Sequence, residues 1–205
     1  MPLLQASTPQ VLKVMESYEN VLEFWFGRED TEQFGRARDE WFTKSFAFDA
    51  EIRNRFAGLQ AAAAAQELED WKSIPRGRLA LILLLDQFSR NLYRDSPQAF
   101  ACDAQALRLA QEALDAGLDG ALPPIERMFL YMPFQHSEDL EVQRKSLALF
   151  ERLRAYPETA MCYDYAVRHF EVIEKFGRFP HRNAILRRAS TPEELDYLQQ
   201  AGAGF

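Results

Sequence analysis

A chain of 205 residues can bury one sizeable core, and its 47% hydrophobic content, with 16 Phe, 7 Tyr and 3 Trp, rules out an intrinsically disordered polymer. The formal charge of −7 disfavours general attraction to nucleic acid or to anionic lipid. Nine glycines and no alternating runs of Val, Ile and Thr leave no signal for hairpins or βαβ units, so an all-α class follows.

Residues 1–10 show no basic stretch followed by an apolar one. The longest aliphatic run, Leu79 to Leu85, falls far short of the roughly 20 residues that span a bilayer. A cytoplasmic setting is expected, with neither membrane nor nucleic acid as partner. Cys102 and Cys162, 60 positions apart and outside any C-x-x-C pair, are expected as free thiols.

In chain order, residues 1–8 are expected to be loose, and helices are predicted at about 9–26, 35–45, 49–66, 77–94, 97–116, 123–132, 137–155, 159–176 and 191–201. Ser96-Pro97, Thr191-Pro192-Glu193-Glu194 and Asp49-x-x-Ile52 read as helix starts. Leu140, Leu147, Phe150 and Leu153 share one helix face, as do Ala166, Phe170 and Ile173, and such faces need partner helices. No Pro/Gly/Ser-rich linker divides the chain, so residues 1–205 read as a single domain of helices packed antiparallel to their sequence neighbours. Ala101 to Gly117 resembles one half of a tetratricopeptide-type hairpin.

The run Leu79 to Leu85 is apolar all round, which marks a helix buried on most sides. It then turns polar. Asp86 and Arg90 are four apart and share a face that Arg94 extends by a turn. This stripe reads either as a packed ion pair or as arginines that face a ligand anion while Asp86 orients them. Further on, Pro133 is expected to break or kink the helix at Met132. Ser137 would then cap the next helix, with Glu138 and Asp139 in its first turn. His136 sits just before that cap, at a helix junction from which a side chain can reach a cleft. The cluster His-Ser-Glu-Asp matches no zinc signature, so neither metal nor cofactor is expected.

His169 lies at the edge of an apolar helix face and reads as a hydrogen-bonded core histidine. Gly177 is expected to stop that helix, and a basic loop follows. From Lys175 to Arg188 there are five Lys or Arg and no acid. Carboxylates such as Glu171, Glu174 or Asp86 would balance this loop, or Arg178, His181, Arg182 and Asn183 would form an anion pocket. As a base poised near neutrality, His136 and His181 stand ahead of His169, since loop positions at helix ends reach solvent more easily.

Four motifs carry a family likeness: Val21-Leu-Glu-Phe-Trp-Phe-Gly27, Leu83-Leu-Leu-Asp-Gln-Phe-Ser-Arg-Asn-Leu-Tyr93, Leu130-Tyr-Met-Pro-Phe-Gln-His-Ser-Glu-Asp-Leu140 and Phe176-Gly-Arg-Phe-Pro-His-Arg-Asn183. From about Val21 to Leu198 the chain resembles the bacterial family known as domain of unknown function 924. The resemblance implies an all-helical fold of antiparallel hairpins stacked as a tetratricopeptide-like superhelical array, and no reaction. In that family Pro is common where this chain has Ser89, and Gly near Arg187.

Two functions fit these residues. One is a binding module that holds a peptide or small anionic ligand in a cleft lined by Arg90, Arg178 and Arg182. The other is a small hydrolase or transferase acting on a carboxylated or phosphorylated substrate, with His136 or His181 as general base and Glu138 in support. Whether the chain is an enzyme, and its oligomeric state, are left open by the sequence. Convergence of the polar islands on one site is the discriminating observation.

Overall fold

The computed structural model describes residues 17–32 and 34–204, and these contain helices and no strand. The loose segment expected at 1–8 and the first half of the helix expected at 9–26 lie outside the described residues. Helix α1 spans Tyr18–Phe26, and α2 spans Phe46–Ala64. Helix α3, Pro75–Ile82, runs through a π-helical turn at Leu83–Phe88 into α4, Ser89–Leu92. Then follow α5 (Asp103–Asp115), α6 (Pro124–Gln135), α7 (Leu140–Leu153), α8 (Cys162–Phe176) and α9 (Pro192–Leu198).

The all-apolar run behaves as its composition requires. Every residue from Leu79 to Leu85 is buried, with α1, α5 and α6 packed against α3. Aromatic rings fill the space between α1, the π turn and α6. Trp25 meets Phe88 at 5.4 Å and Phe129 at 5.5 Å between ring centroids, and Trp41 meets Phe129 at 4.8 Å. Such pairs contribute about 0.5–1.5 kcal/mol beyond their buried area. Trp41 also donates its Nε1–H to the Trp25 carbonyl at 3.0 Å, which fixes the loop before α2.

Local chemistry explains where the expected helices shift. Ser45, not Asp49, caps α2, its hydroxyl accepting from the Phe48 N–H, and Asp49 is left in the first turn to bind elsewhere. The helix expected at 35–45 is only a 3-10 turn at Asp39–Trp41, and the one expected at 97–116 divides into a 3-10 turn at Pro97–Phe100 and α5. Thr191 and Glu194 form the expected capping box of α9, and Gly177, at φ 67°, ends α8. Arg187 also holds a left-handed φ, 55°, a conformation that glycine adopts without steric cost.

Pro133 does not break α6. The one ladder bond it cannot make is its own to the Phe129 carbonyl, and the following residues stay helical, with His136 N–H still reaching the Met132 carbonyl at 3.0 Å. The terminal carbonyls are capped from outside, since Gln143 Nε2 of α7 donates to both Gln135 and Ser137 carbonyls at 2.7 Å. Nor does Ser137 cap α7. Asp139 does, its carboxylate accepting from Glu141 and Val142 N–H groups at 2.8 and 3.0 Å, where the helix dipole favours a negative charge.

The approach of the 69–73 turn to α3 depends on Gly77. A Cβ there would stand 2.6 Å from the Trp71 carbonyl oxygen, a backbone atom that cannot swing aside. Gly77→Ala should therefore cost about 1–3 kcal/mol. Thermal unfolding should show this as a lowering of roughly 2–4 °C per kcal/mol, and an unchanged midpoint would count against the close approach.

Candidate functional site

The π turn delivers Asp86 into the interior, with the carboxylate only 1% exposed. An ion so placed needs partners. Arg90, one turn on, brings Nη1 within 3.1 Å of Oδ1, and Gln87 Nε2 donates to Oδ2 at 2.6 Å. From the end of α6, His136 Nδ1 reaches Oδ1 at 2.8 Å. Burial alone would raise the Asp86 carboxyl, but the positive charge of Arg90 and the hydrogen bonds from His136 and Gln87 outweigh it and hold the group well below the ordinary carboxylate range.

An ionised carboxylate can only accept, so Nδ1 of His136 carries the proton and Nε2 the lone pair. Burial pushes the imidazole below its usual pKa, with Arg90 helping and Asp86 opposing, which leaves it neutral at pH 7. Among the described residues Nε2 has no hydrogen-bond partner, and the side chain keeps 15% exposure.

Asp103, the first residue of α5, completes the cluster. It accepts both arms of Arg90, Nη1 and Nη2 each at 3.1 Å, and Arg182 Nη1 approaches it at 3.4 Å. Arg182 is buried between Phe100 and Phe179, whose ring centroids lie 4.7 and 4.5 Å from its guanidinium carbon. Its Nη2 donates to the His136 carbonyl at 3.0 Å, while Nε is buried with no acceptor. Burial and the neighbouring Arg90 bring its pKa down to about 10, still cationic at neutral pH.

The other two histidines close in on the same place. The His136 and His169 rings are 6.2 Å apart, and Phe179 stands 5.6 Å from His169 and 5.5 Å from His181. His169 is buried and donates Nδ1–H to the Tyr165 carbonyl at 2.7 Å, as a core histidine should. Burial lowers it to about 3 and, with Arg182 beside it, lowers His181 to about 4.

The remaining expected residues brace this arrangement or lie elsewhere. Glu138 accepts from the Phe179 N–H at 2.8 Å and from both arms of Arg188 at 2.7 and 2.9 Å, tying the α6–α7 junction to the basic loop. Arg178 is committed to Glu194 at 2.6 and 2.8 Å, and Asn183 bonds Ser190 and Glu194, so both anchor the loop to α9 and offer no anion pocket. Among the described residues the loop's arginines pair with Asp103, Glu138 and Glu194, and no ion pair to Glu171 or Glu174 is formed. Arg94 turns to α2, where it pairs with Asp49 alongside Asn91, and Asp139 is the α7 cap. Asp103 and Arg188 went unrecognised in sequence. Each had an ordinary local explanation, an acid in a first helical turn and one more base in a basic run. Among the described residues no group of three or more His, Cys, Asp or Glu is arranged to hold a metal ion.

Comparison with other proteins adds the family and no activity. Residues 21–202 match the bacterial protein family of unknown function DUF924. The structure of a protein of unknown function from Agrobacterium tumefaciens, ATU0120, is 38% identical, covers 89% of this chain and 96% of its own, and superposes with a TM-score of 0.78. No curated protein matches the chain.

The histidines make stability depend on pH with a definite sign. An imidazole that titrates near 6.5 when unfolded, but at about 3 (His169) or about 4 (His181) when folded, takes up protons preferentially on unfolding. Stability is then complete above pH 6.5 and falls below it, by up to about 1.4 kcal/mol per pH unit for each group. Urea titrations at pH 7.5 and 5.0 should show the loss, and His169→Asn should flatten it. An equal slope in that variant would remove His169 from the pH response.

Proposed function

This chain belongs to the bacterial DUF924 family, and within it we propose that Asp86 and His136 form a general-base centre acting on a small polar substrate. The observation that supports it most is the 2.8 Å bond between His136 Nδ1 and the buried Asp86 carboxylate. This bond fixes the tautomer and leaves the Nε2 lone pair on a part-exposed neutral imidazole. The π turn that carries Asp86 supports the same reading, because a widened helical turn is frequent at functional sites.

In this reading Nε2 removes a proton from a substrate hydroxyl or from water, and the imidazolium that forms is stabilised by Asp86. Burial, helped by the positive charge of Arg90 on the same carboxylate, keeps His136 neutral before the proton arrives. The binding module finds less support, since Arg90, Arg178 and Arg182 each have an internal carboxylate partner. Consecutive packing of α6 on α7 and of α7 on α8 favours a tetratricopeptide-like hairpin array as the frame.

Two measurements test the centre. Nitrogen NMR at pH 7 should find His136 neutral with its proton on Nδ1, and a proton on Nε2 would leave no base. Against a panel of carboxyl esters, phosphate esters and thioesters, turnover should fall by about 10²–10⁴-fold in His136→Gln with helix content retained. Turnover unaffected by this change would overturn the proposal.

A further inference from the structure

Four charged side chains meet beside His136, and their balance is uneven in depth. Asp86 is fully buried, holds three side-chain partners and neutralises one of the two guanidinium groups. The second positive charge is met only by Asp103, whose side chain is 20% exposed. Asp103 serves Arg90 with two equal bonds yet reaches Arg182 only at 3.4 Å, and Arg182 Nε is left buried without an acceptor. The paired arginine fork is thus only partly used by the carboxylate that occupies it.

We infer that this fork is the binding place for the carboxylate of a small substrate, and that Asp103 fills it from within the chain until the substrate displaces it. The inference rests on the reading of His136 as the base, for it places the substrate's anchor beside that imidazole. Arg182 joins the two directly, bonding Asp103 through Nη1 and the His136 carbonyl through Nη2. A carboxylate is favoured over a phosphate dianion by the charge count. With Asp103 turned away, Arg90 and Arg182 less Asp86 leave one positive charge, which one monoanion satisfies. Planar bidentate geometry at Arg90 suits the same group.

Release of Asp103 needs little rearrangement. It is the first residue of α5 and its side chain is 20% exposed, so rotation of one short side chain toward solvent would free the fork. Its carboxyl is also the weaker of the two acids, because burial and the negative charge of Asp86 raise it despite Arg90 and Arg182. Phe100 and Phe179 on either side of Arg182 shield its guanidinium from water, which strengthens a charged contact made to it.

An internal competitor lowers apparent affinity, so its removal must raise it. Acetate binding, followed by the Nε–H signals of Arg90 and Arg182, should be at least about ten-fold tighter in Asp103→Asn and Asp103→Ser than in the parent protein. The readout is binding, so loss of the general-base proposal by the turnover test would leave this result standing, and the reverse also holds. Affinity in the Asp103 variants that is equal to or weaker than the parent's overturns the inference. Inorganic phosphate binding more tightly than acetate overturns the carboxylate class. If both variants lose helix content, acetate on the order of 0.1 M must restore it where chloride does not; failure to do so also overturns the inference.

Discussion

The structure turns on one buried carboxylate. Asp86 lies in the π turn, directly after the all-apolar run Leu79–Leu85, where an uncompensated charge would cost more than the protein can spare. Compensation cannot come from its own helix alone. Arg90 and Gln87 are local, but His136 must be brought from the end of α6, and Arg90 in turn draws in Asp103 at the start of α5. A single desolvated ion thereby gathers the π turn, the end of α6 and the start of α5 at one point, and Arg182 of the basic loop closes over them.

Around this point the polar groups fall into two tiers with different duties. Glu138 with Arg188, and Arg178 and Asn183 with Glu194, bind loop to helix and are fully engaged in doing so. The inner tier retains free capacity: the lone pair of His136 Nε2 and the Arg182 Nε–H. That difference, rather than the number of charges, sets the inner tier apart, since a satisfied network rigidifies while an unsatisfied buried group is costly unless it is used.

Much of the frame was legible because its causes are local. An all-apolar run must be buried, Asp86 and Arg90 at a separation of four must share a face, and Thr191 with Glu194 must cap a helix. The site was half legible. The three histidines and the basic loop announced themselves by composition, whereas Asp103 meets Arg90 and Arg182 only after the chain has folded back 13 and 79 residues. Sequence also gave competing local answers at two places. Both Ser137 and Asp139 can cap a helix, and the carboxylate prevailed. Pro133 carries a general penalty in helices, but a glutamine on the next helix secures the carbonyls at the end of α6. Arg94 shares the expected face, yet the capping of α2 by Ser45 leaves Asp49 available to draw it away.

The wide turn at Leu83–Phe88 sets the phase of the polar residues. An ordinary helix advances about 100° per residue, and a π turn lags behind that count. Everything after Leu83 is therefore rotated back relative to the apolar cylinder of α3. Ser89 reinforces the lag, its hydroxyl donating five residues back to the Leu84 carbonyl at 3.3 Å and accepting from Gln60. Tightened to an ordinary helix, the same sequence would keep its hydrophobicity and its charges but present Asp86 at a different angle on the cylinder. The site is thus a matter of angular registration as much as of residue identity, and the registration resides in six backbone torsion pairs rather than in any charged group.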